Sequence, residues 1–190
     1  MKNIPIVRIK NGNRQELGDP VAEETVLKVV VNGEQVAEFS CSGSYVNELI
    51  MGYLYFYDYI TVPADVSSME YDVAGETVHV QLNEPDRSCP DAPRTRPEQF
   101  SAQNVFALMK EFTSLSEKFQ ETGAVHSAAI ADEQSILASF DDLSRHNTLF
   151  MFLGYSILEN VPLSDKMLLL TCRLTKSIMD LILKTGIRII

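Results

Sequence analysis

"AVHSAAIADEQSILASFDDLSRHNTLFMFLGYSIL", residues 124–158, is the stretch on which the fold turns. Two runs of small and apolar residues, 124–131 and 135–142, have strand length and are parted by a short polar turn. The second run ends on Asp141 and Asp142, turns through Leu143-Ser144 and opens a helix at Arg145 that reaches Leu158. Upstream, "AQNVFALMKEFTSLSEKFQETG" (102–123) places Val105, Leu108, Met109, Phe112, Leu115 and Phe119 on one helical stripe and stops at Gly123, a favourable helix terminator. Downstream, "MLLLTC" (167–172) reads as a strand, "TKSIMDLILKTG" (175–186) as a helix and "IRII" (187–190) as a last strand. Strands alternating with helices in this way predict an α/β sandwich on a mixed sheet over residues 101–190.

The first part of the chain has a different grain. "TVLKVVVNGEQVAEFS" (25–40) flanks Asn32-Gly33, the favoured pair of a tight hairpin turn, with apolar-rich runs. "MEYDVAGETVHVQLNE" (69–84) repeats the plan around Gly75, with Val78, Val80 and Leu82 on one face and Thr77, His79 and Gln81 on the other. Between them, "SGSYVNELIMGYLYFYDYI" (42–60) offers capping serines and then Val46, Leu49, Ile50, Tyr53 and Leu54 at helical spacing. Residues 1–84 are thus expected to be a small β-rich domain with one helix. Residues 84–97 hold four prolines, three arginines and three acids, with no aliphatic side chain larger than alanine, and 85–100 reads as a flexible connection. Within it, "DRSCPDAPR" (86–94) sets Cys89 between Arg87 and Arg94.

Composition narrows the function classes. With 16 Lys and Arg against 26 Asp and Glu, the net charge of −10 disfavours nucleic-acid binding. The apolar runs near Leu168 and Leu181 are broken well short of the ~20 residues a bilayer span needs. The N-terminus lacks the pattern of a secretory signal, so a cytoplasmic location is expected. Three scattered cysteines, Cys41, Cys89 and Cys172, fit neither a disulfide framework nor a four-ligand metal site. Cys41, where a strand enters a capped helix, and Cys172, ending an apolar strand, are expected to be buried and inert, leaving Cys89 as the thiol near positive charge.

The polar residues of the second half collect at strand ends and helix starts: Thr122, Gly123, His126, Asp141, Asp142, Arg145, His146, Asn147 and Arg173. Open α/β sheets gather ligands at such an edge. A helix start carrying Arg145 suits an anion; equally, Asp142 or Ser144 caps the helix and the arginine is merely solvated.

Four segments in this order, 23–55, 121–130, 141–147 ("DDLSRHN") and 172–187 ("CRLTKSIMDLILKTGI"), resemble the formate dehydrogenase accessory sulfurtransferase family, FdhD/NarQ. The resemblance implies a homodimer whose second domain has a cytidine-deaminase-like fold. It implies a persulfide on Cys89, loaded by a cysteine desulfurase and delivered to the molybdenum cofactor, a molybdopterin guanine dinucleotide, for formate dehydrogenase or another molybdoenzyme. Thr122, Gly123, His126, Asp142, Arg145, His146, Asn147 and Arg173 fall in the segments that would bind that cofactor, with no metal held by protein side chains.

The departures are specific. The family's Cys-x-x-Cys is Cys89-Pro90-Asp91-Ala92 here; Thr-Gly-Gly reads Thr122-Gly123-Ala124; Val-Gly-Arg-His-Asn reads Leu143-Ser144-Arg145-His146-Asn147. An acidic and basic pair is replaced by Phe150-Met151, Gly-Arg is Cys172-Arg173, and Ser177 stands for a glutamate. The family pattern would also continue past Ile190. A sulfur carrier therefore competes with a degenerate member that only binds cofactor or protein. A zinc deaminase is disfavoured, since His146-Asn147-Thr148 lacks the glutamate and Cys172-Arg173 the paired cysteine that such a site needs.

Overall fold

Two Asn-Gly pairs shape the first part of the molecule. In the computed structural model, which describes residues 1–72, 74, 76–83 and 100–190, Asn11-Gly12 has φ of 52° and 81° and Asn32-Gly33 has φ of 48° and 89°. Two successive left-handed residues make the turn whose twist matches paired strands. The first turn closes β1 (Lys2–Lys10) on β2 (Asn13–Val21) as a separate two-stranded ribbon, an element absent from the expected plan. The second closes β3 (Thr25–Val31) on β4 (Glu34–Cys41), as the spacing predicts.

Strands β5 (Val66–Tyr71) and β6 (Thr77–Leu82) complete a four-stranded sheet of order β4-β3-β6-β5, with β3 and β6 parallel and the other pairs antiparallel. Alternation sorts its faces: Leu27, Val29, Val31, Val78 and Val80 are buried, while Lys28, His79 and Gln81 are exposed. Helix α1 (Val46–Phe56) covers the apolar face with Leu49, Ile50 and Leu54.

In the second part, β7 (His126–Ala131), β8 (Ile136–Asp142) and β9 (Met167–Leu170) form a sheet of order β8-β7-β9, antiparallel throughout. Residues 187–190, expected as a strand, contribute a single parallel bridge between Ile189 and Met167. Side chains of β7 alternate between two cores. Ala128 and Ile130 join the core built with α1, α4 (Arg145–Leu158) and α5 (Lys176–Thr185); Ala129 and Ala131 meet Leu108 and Phe112 of α2 (Ala102–Leu115). Helices thus lie on both faces of this sheet, the α/β sandwich read from residues 124–158; the sheet itself is antiparallel where a mixed one was expected, because β7 and β8 are joined by a short turn and the 187–190 segment adds only the Met167–Ile189 bridge in parallel.

The single helix expected over 102–123 is two. Ser116 leaves helical geometry at ψ 97° and caps α3 (Glu117–Thr122), its hydroxyl accepting the Phe119 N–H at 3.1 Å. The predicted stripe is split accordingly: Leu108 and Phe112 are buried, whereas Leu115 and Phe119 stand about half exposed.

Helices α1 and α4 cross in backbone contact. A Cβ added at Gly154 would lie 1.9 Å from the Glu48 carbonyl oxygen, and one at Gly52 would lie 1.9 Å from that of Phe150. Both glycines are required by this close approach. One buried cluster consequently runs from Leu27 and Phe39 through Leu49 and Leu54 to Leu149, Phe152 and Leu181. Lys184 ties the far end, donating to the Phe56 carbonyl and, at 2.7 Å, to Asp58. No helix among the described residues is long and apolar enough to cross a membrane.

Candidate functional site

The turn from β8 into α4 is built around one carboxylate. Asp142, the last residue of β8, is fully buried. Its Oδ2 accepts the Ser42 N–H at 2.8 Å; its Oδ1 accepts the Ser144 N–H at 3.0 Å and the Asn147 side-chain amide at 2.8 Å. Asn147, 4% exposed, also donates to the Ser40 carbonyl at 2.8 Å. Asp142 and Asn147 are therefore committed to internal hydrogen bonds that fasten the β4–α1 loop to the start of α4. That loop is bent, with Gly43 at φ 72° and Tyr45 at φ 52°. A tyrosine in the left-handed region carries strain of about 1–3 kcal/mol and persists only where its surroundings hold it. Here the Tyr45 ring meets Phe140 edge-on at 5.1 Å and Lys118 donates to Ser44 Oγ at 2.8 Å.

With Asp142 gripping Ser144 and Asn147, no side chain caps the first turn of α4. Arg145 and His146 are the first two residues of α4. Arg145 is half-buried, and its Nε is buried without a hydrogen-bond partner. An orphaned guanidinium nitrogen is costly unless an acceptor meets it. His146 Nε2 lies 3.1 Å from Ser177 Oγ at the start of α5. Burial, and then the Arg145 charge, push its imidazolium below the usual histidine range, so at neutral pH it is an uncharged hydrogen-bonding group. Arg173 is exposed on the segment joining β9 to α5.

The third edge of the site comes from the α3–β7 junction. Gly123 ends α3 at φ 64°, its N–H donating to the Phe119 carbonyl at 2.7 Å, the role its sequence position suggests. Thr122 Oγ1 donates to the Lys118 carbonyl at 2.6 Å and accepts the Ala124 N–H at 3.1 Å. His126, half-buried at the start of β7, pairs with Asp142 across the ladder. The structure thus brings Asp142, Arg145, His146 and Asn147 to one turn, with His126 across the ladder, and holds Thr122 and Gly123 in the tight junction before β7.

The cysteines differ from one another. Cys41 is fully buried at the end of β4, and burial, with a smaller contribution from the Asp142 charge, pushes its thiol up. Cys172 is half-buried rather than enclosed, because β9 ends two residues earlier and the chain is already turning outward. Burial raises its thiol too, but the nearby Arg145 charge opposes that shift. Cys172 beside Arg145 is a neighbour that sequence reading missed, because 27 positions separate them. Cys89, with Arg87 and Arg94, lies outside the described residues. Among the described residues no three His, Cys, Asp or Glu side chains are grouped to hold a metal ion.

The FdhD/NarQ family profile matches residues 22–98 and 86–190. Two similar proteins carry the name sulfur carrier protein FdhD. That of Shouchella clausii is 27% identical over 97% of this chain and 80% of its own length. That of Staphylococcus aureus strain JH9 is 28% identical over 98% of this chain and 80% of its own. Among solved structures, a putative formate dehydrogenase accessory protein from Desulfotalea psychrophila superposes with a TM-score of 0.84 at 20% identity, covering 99% of this chain and 81% of that one.

Proposed function

The chain belongs to the FdhD/NarQ family, and from that membership we propose that it is a cytoplasmic sulfur carrier for a molybdoenzyme of the formate dehydrogenase kind. A cysteine desulfurase supplies the sulfur. The Cys89 thiolate attacks the outer sulfur of the donor's persulfide, the donor's cysteine leaves as thiolate, and Cys89 carries the added sulfur. The arginines on either side, Arg87 and Arg94, favour the thiolate that this attack requires.

The acceptor, molybdopterin guanine dinucleotide, is substrate here, and its pyrophosphate is the part a protein grips most readily. The observation that carries this reading is the unpartnered Nε of Arg145 at a helix start that no side chain caps. Arg145 meets the phosphate oxygens, Arg173 adds charge at the rim, and neutral His146 hydrogen-bonds without competing for the anion. His126, Thr122 and Gly123 shape the adjoining wall. Asp142 and Asn147 act through the turn they fix. Two copies associate, and each supplies one such site.

The reading is tested in two arms. Incubation with a cysteine desulfurase and cysteine is expected to add one sulfur to the intact mass, and Cys89→Ser to abolish the adduct. A guanine nucleotide is expected to raise the melting temperature, and Arg145→Ala to remove that shift. Nucleotide stabilisation without any sulfur adduct would leave a cofactor-binding protein that has lost the transfer step, consistent with Cys89 standing where the family carries a pair.

A further inference from the structure

Asp141 has no part in the phosphate site. Strand alternation turns its side chain to the face of β8 opposite Asp142, where it lines a cavity of about 580 Å³ bounded by β8, α3 and the β4–α1 loop. Its Oδ1 is buried without a hydrogen-bond partner, and among the described residues no cation pairs with the carboxylate. Lys118, half-buried on α3, lines the same cavity and meets hydroxyls alone: its Nζ donates to Ser44 Oγ at 2.8 Å and to Ser42 Oγ at 3.5 Å. Glu117 adds a solvated carboxylate but no ion pair to Lys118. The cavity thus holds a carboxylate without a donor and an ammonium without an anion, each costly until a ligand meets it.

The remaining walls suit a flat ring. Tyr45 is 48% exposed although its ring packs edge-on against Phe140, and Leu115 is 44% exposed. The walls are also fixed in advance: Asp142 grips the Ser42 N–H and Lys118 grips Ser44, on either side of the left-handed turn that ends at Tyr45. A neutral heterocycle satisfies these groups together if it carries adjacent N–H donors for Asp141 and a carbonyl for Lys118. Guanine has that edge, its ring N–H and exocyclic amine standing side by side next to a carbonyl oxygen. Adenine, cytosine and uracil each set an acceptor where the second donor is needed. Pterin rings share the guanine edge. We propose that this cavity takes the amino-oxo-pyrimidine edge common to guanine and pterin rings, with Asp141 as the residue that selects it. The inference rests on the proposed cofactor, which carries that edge at both ends, and names where one end lodges.

Isothermal titration of the full chain with guanosine and with biopterin tests it, since neither carries a phosphate for Arg145. At least one is expected to bind, and the one that binds more tightly assigns the end of the cofactor. Asp141→Asn is expected to weaken that binding by about 10–100-fold, the scale of one hydrogen bond to a charged group. Its melting temperature is expected to stay at or above that of the wild type, because an unpaired charge is removed. If guanosine binds, inosine, which lacks the exocyclic amine, is expected to bind about 10–100-fold more weakly. Binding of neither ring, or binding indifferent to Asp141→Asn, overturns the site. Stabilisation by GDP and ADP alike, lost in Arg145→Ala, would then leave the phosphate site standing alone; stabilisation by neither removes both.

Discussion

Replacing Gly154 by alanine sets two effects of opposite sign against each other. In an ordinary helix interior the change is favourable by about 1 kcal/mol, because glycine has more backbone freedom to lose. At this crossing the new Cβ would stand 1.9 Å from the Glu48 carbonyl oxygen, 2.6 Å from its carbon and 2.9 Å from its Cα, where contacts under 3.0 Å do not occur. The obstacle is main chain, so no side chain can swing away. The helices must part by at least an ångström, and a gap of that size forfeits a quarter to a half of each dispersion contact along the seam. Overpacking of this type costs about 1–3 kcal/mol even where side chains yield. With main chain as the obstacle the cost lies above that range, at about 3–5 kcal/mol, and after the helix-propensity gain of about 1 kcal/mol a net loss of about 2–4 kcal/mol is expected. At about 2–4 °C per kcal/mol for a chain of this size, the melting temperature falls by about 5–15 °C. Calorimetry and urea titration measure this directly. Gly52→Ala meets the same seam from the other side, so the double variant is expected to lose less than the sum of the two, the helices having already separated. An unchanged or raised midpoint for Gly154→Ala would refute the close crossing.

Other outcomes follow from the β8–α4 turn. Asp142→Asn keeps the shape but turns an amide N–H₂ toward a donor, and a loss of about 2–3 kcal/mol in urea unfolding is expected; an unaffected midpoint contradicts the three-donor arrangement. His146 is held below its ordinary value of 6.5, so on acidification the unfolded chain takes up that proton first. Its contribution is unaffected above pH 6.5, turns unfavourable as pH falls below it, and is fully unfavourable below the folded value. The wild type should therefore lose stability faster than His146→Gln as pH drops through that window, and parallel curves would argue against it. In a Cys89→Ser background, Cys172 should alkylate slowly at neutral pH and faster under alkaline conditions. Arg145→Ala should slow it further by removing the opposing charge; peptide mass spectrometry reports the site.

Much of this was legible in the sequence because it rests on local rules. Helix α4 runs Arg145–Leu158 as its acidic, serine-containing turn and apolar body suggest, and Asn32-Gly33 closes the hairpin that pair favours. The same pair at Asn11-Gly12 carries no comparable signal, because its flanking strands bury almost nothing and so show no one-sided apolar alternation. Ser116 breaks a helix whose apolar period continues undisturbed through it, since a serine serves a helix interior and a cap alike. At the site, the polar cluster was visible, but the burial of Asp142 and Asn147 was not. Their partners Ser42 and Ser40 lie 100 and 107 positions away. Arg145 and Cys172 become neighbours only through the sheet.

Those distances have a further consequence for how the protein comes into being. The crossing of Gly52 with Gly154, and the grip of Asp142 on Ser42, each close a loop of about a hundred residues, an entropic cost met before the packing returns anything. On a ribosome adding about 5–20 residues per second, the apolar flank of α1 waits on the order of 5–20 s for α4 to be synthesised. During that interval the nascent chain presents an uncovered seam of leucine, isoleucine and glycine. The finished fold hides that seam entirely, and its vulnerability belongs to synthesis, when chaperones have access to it.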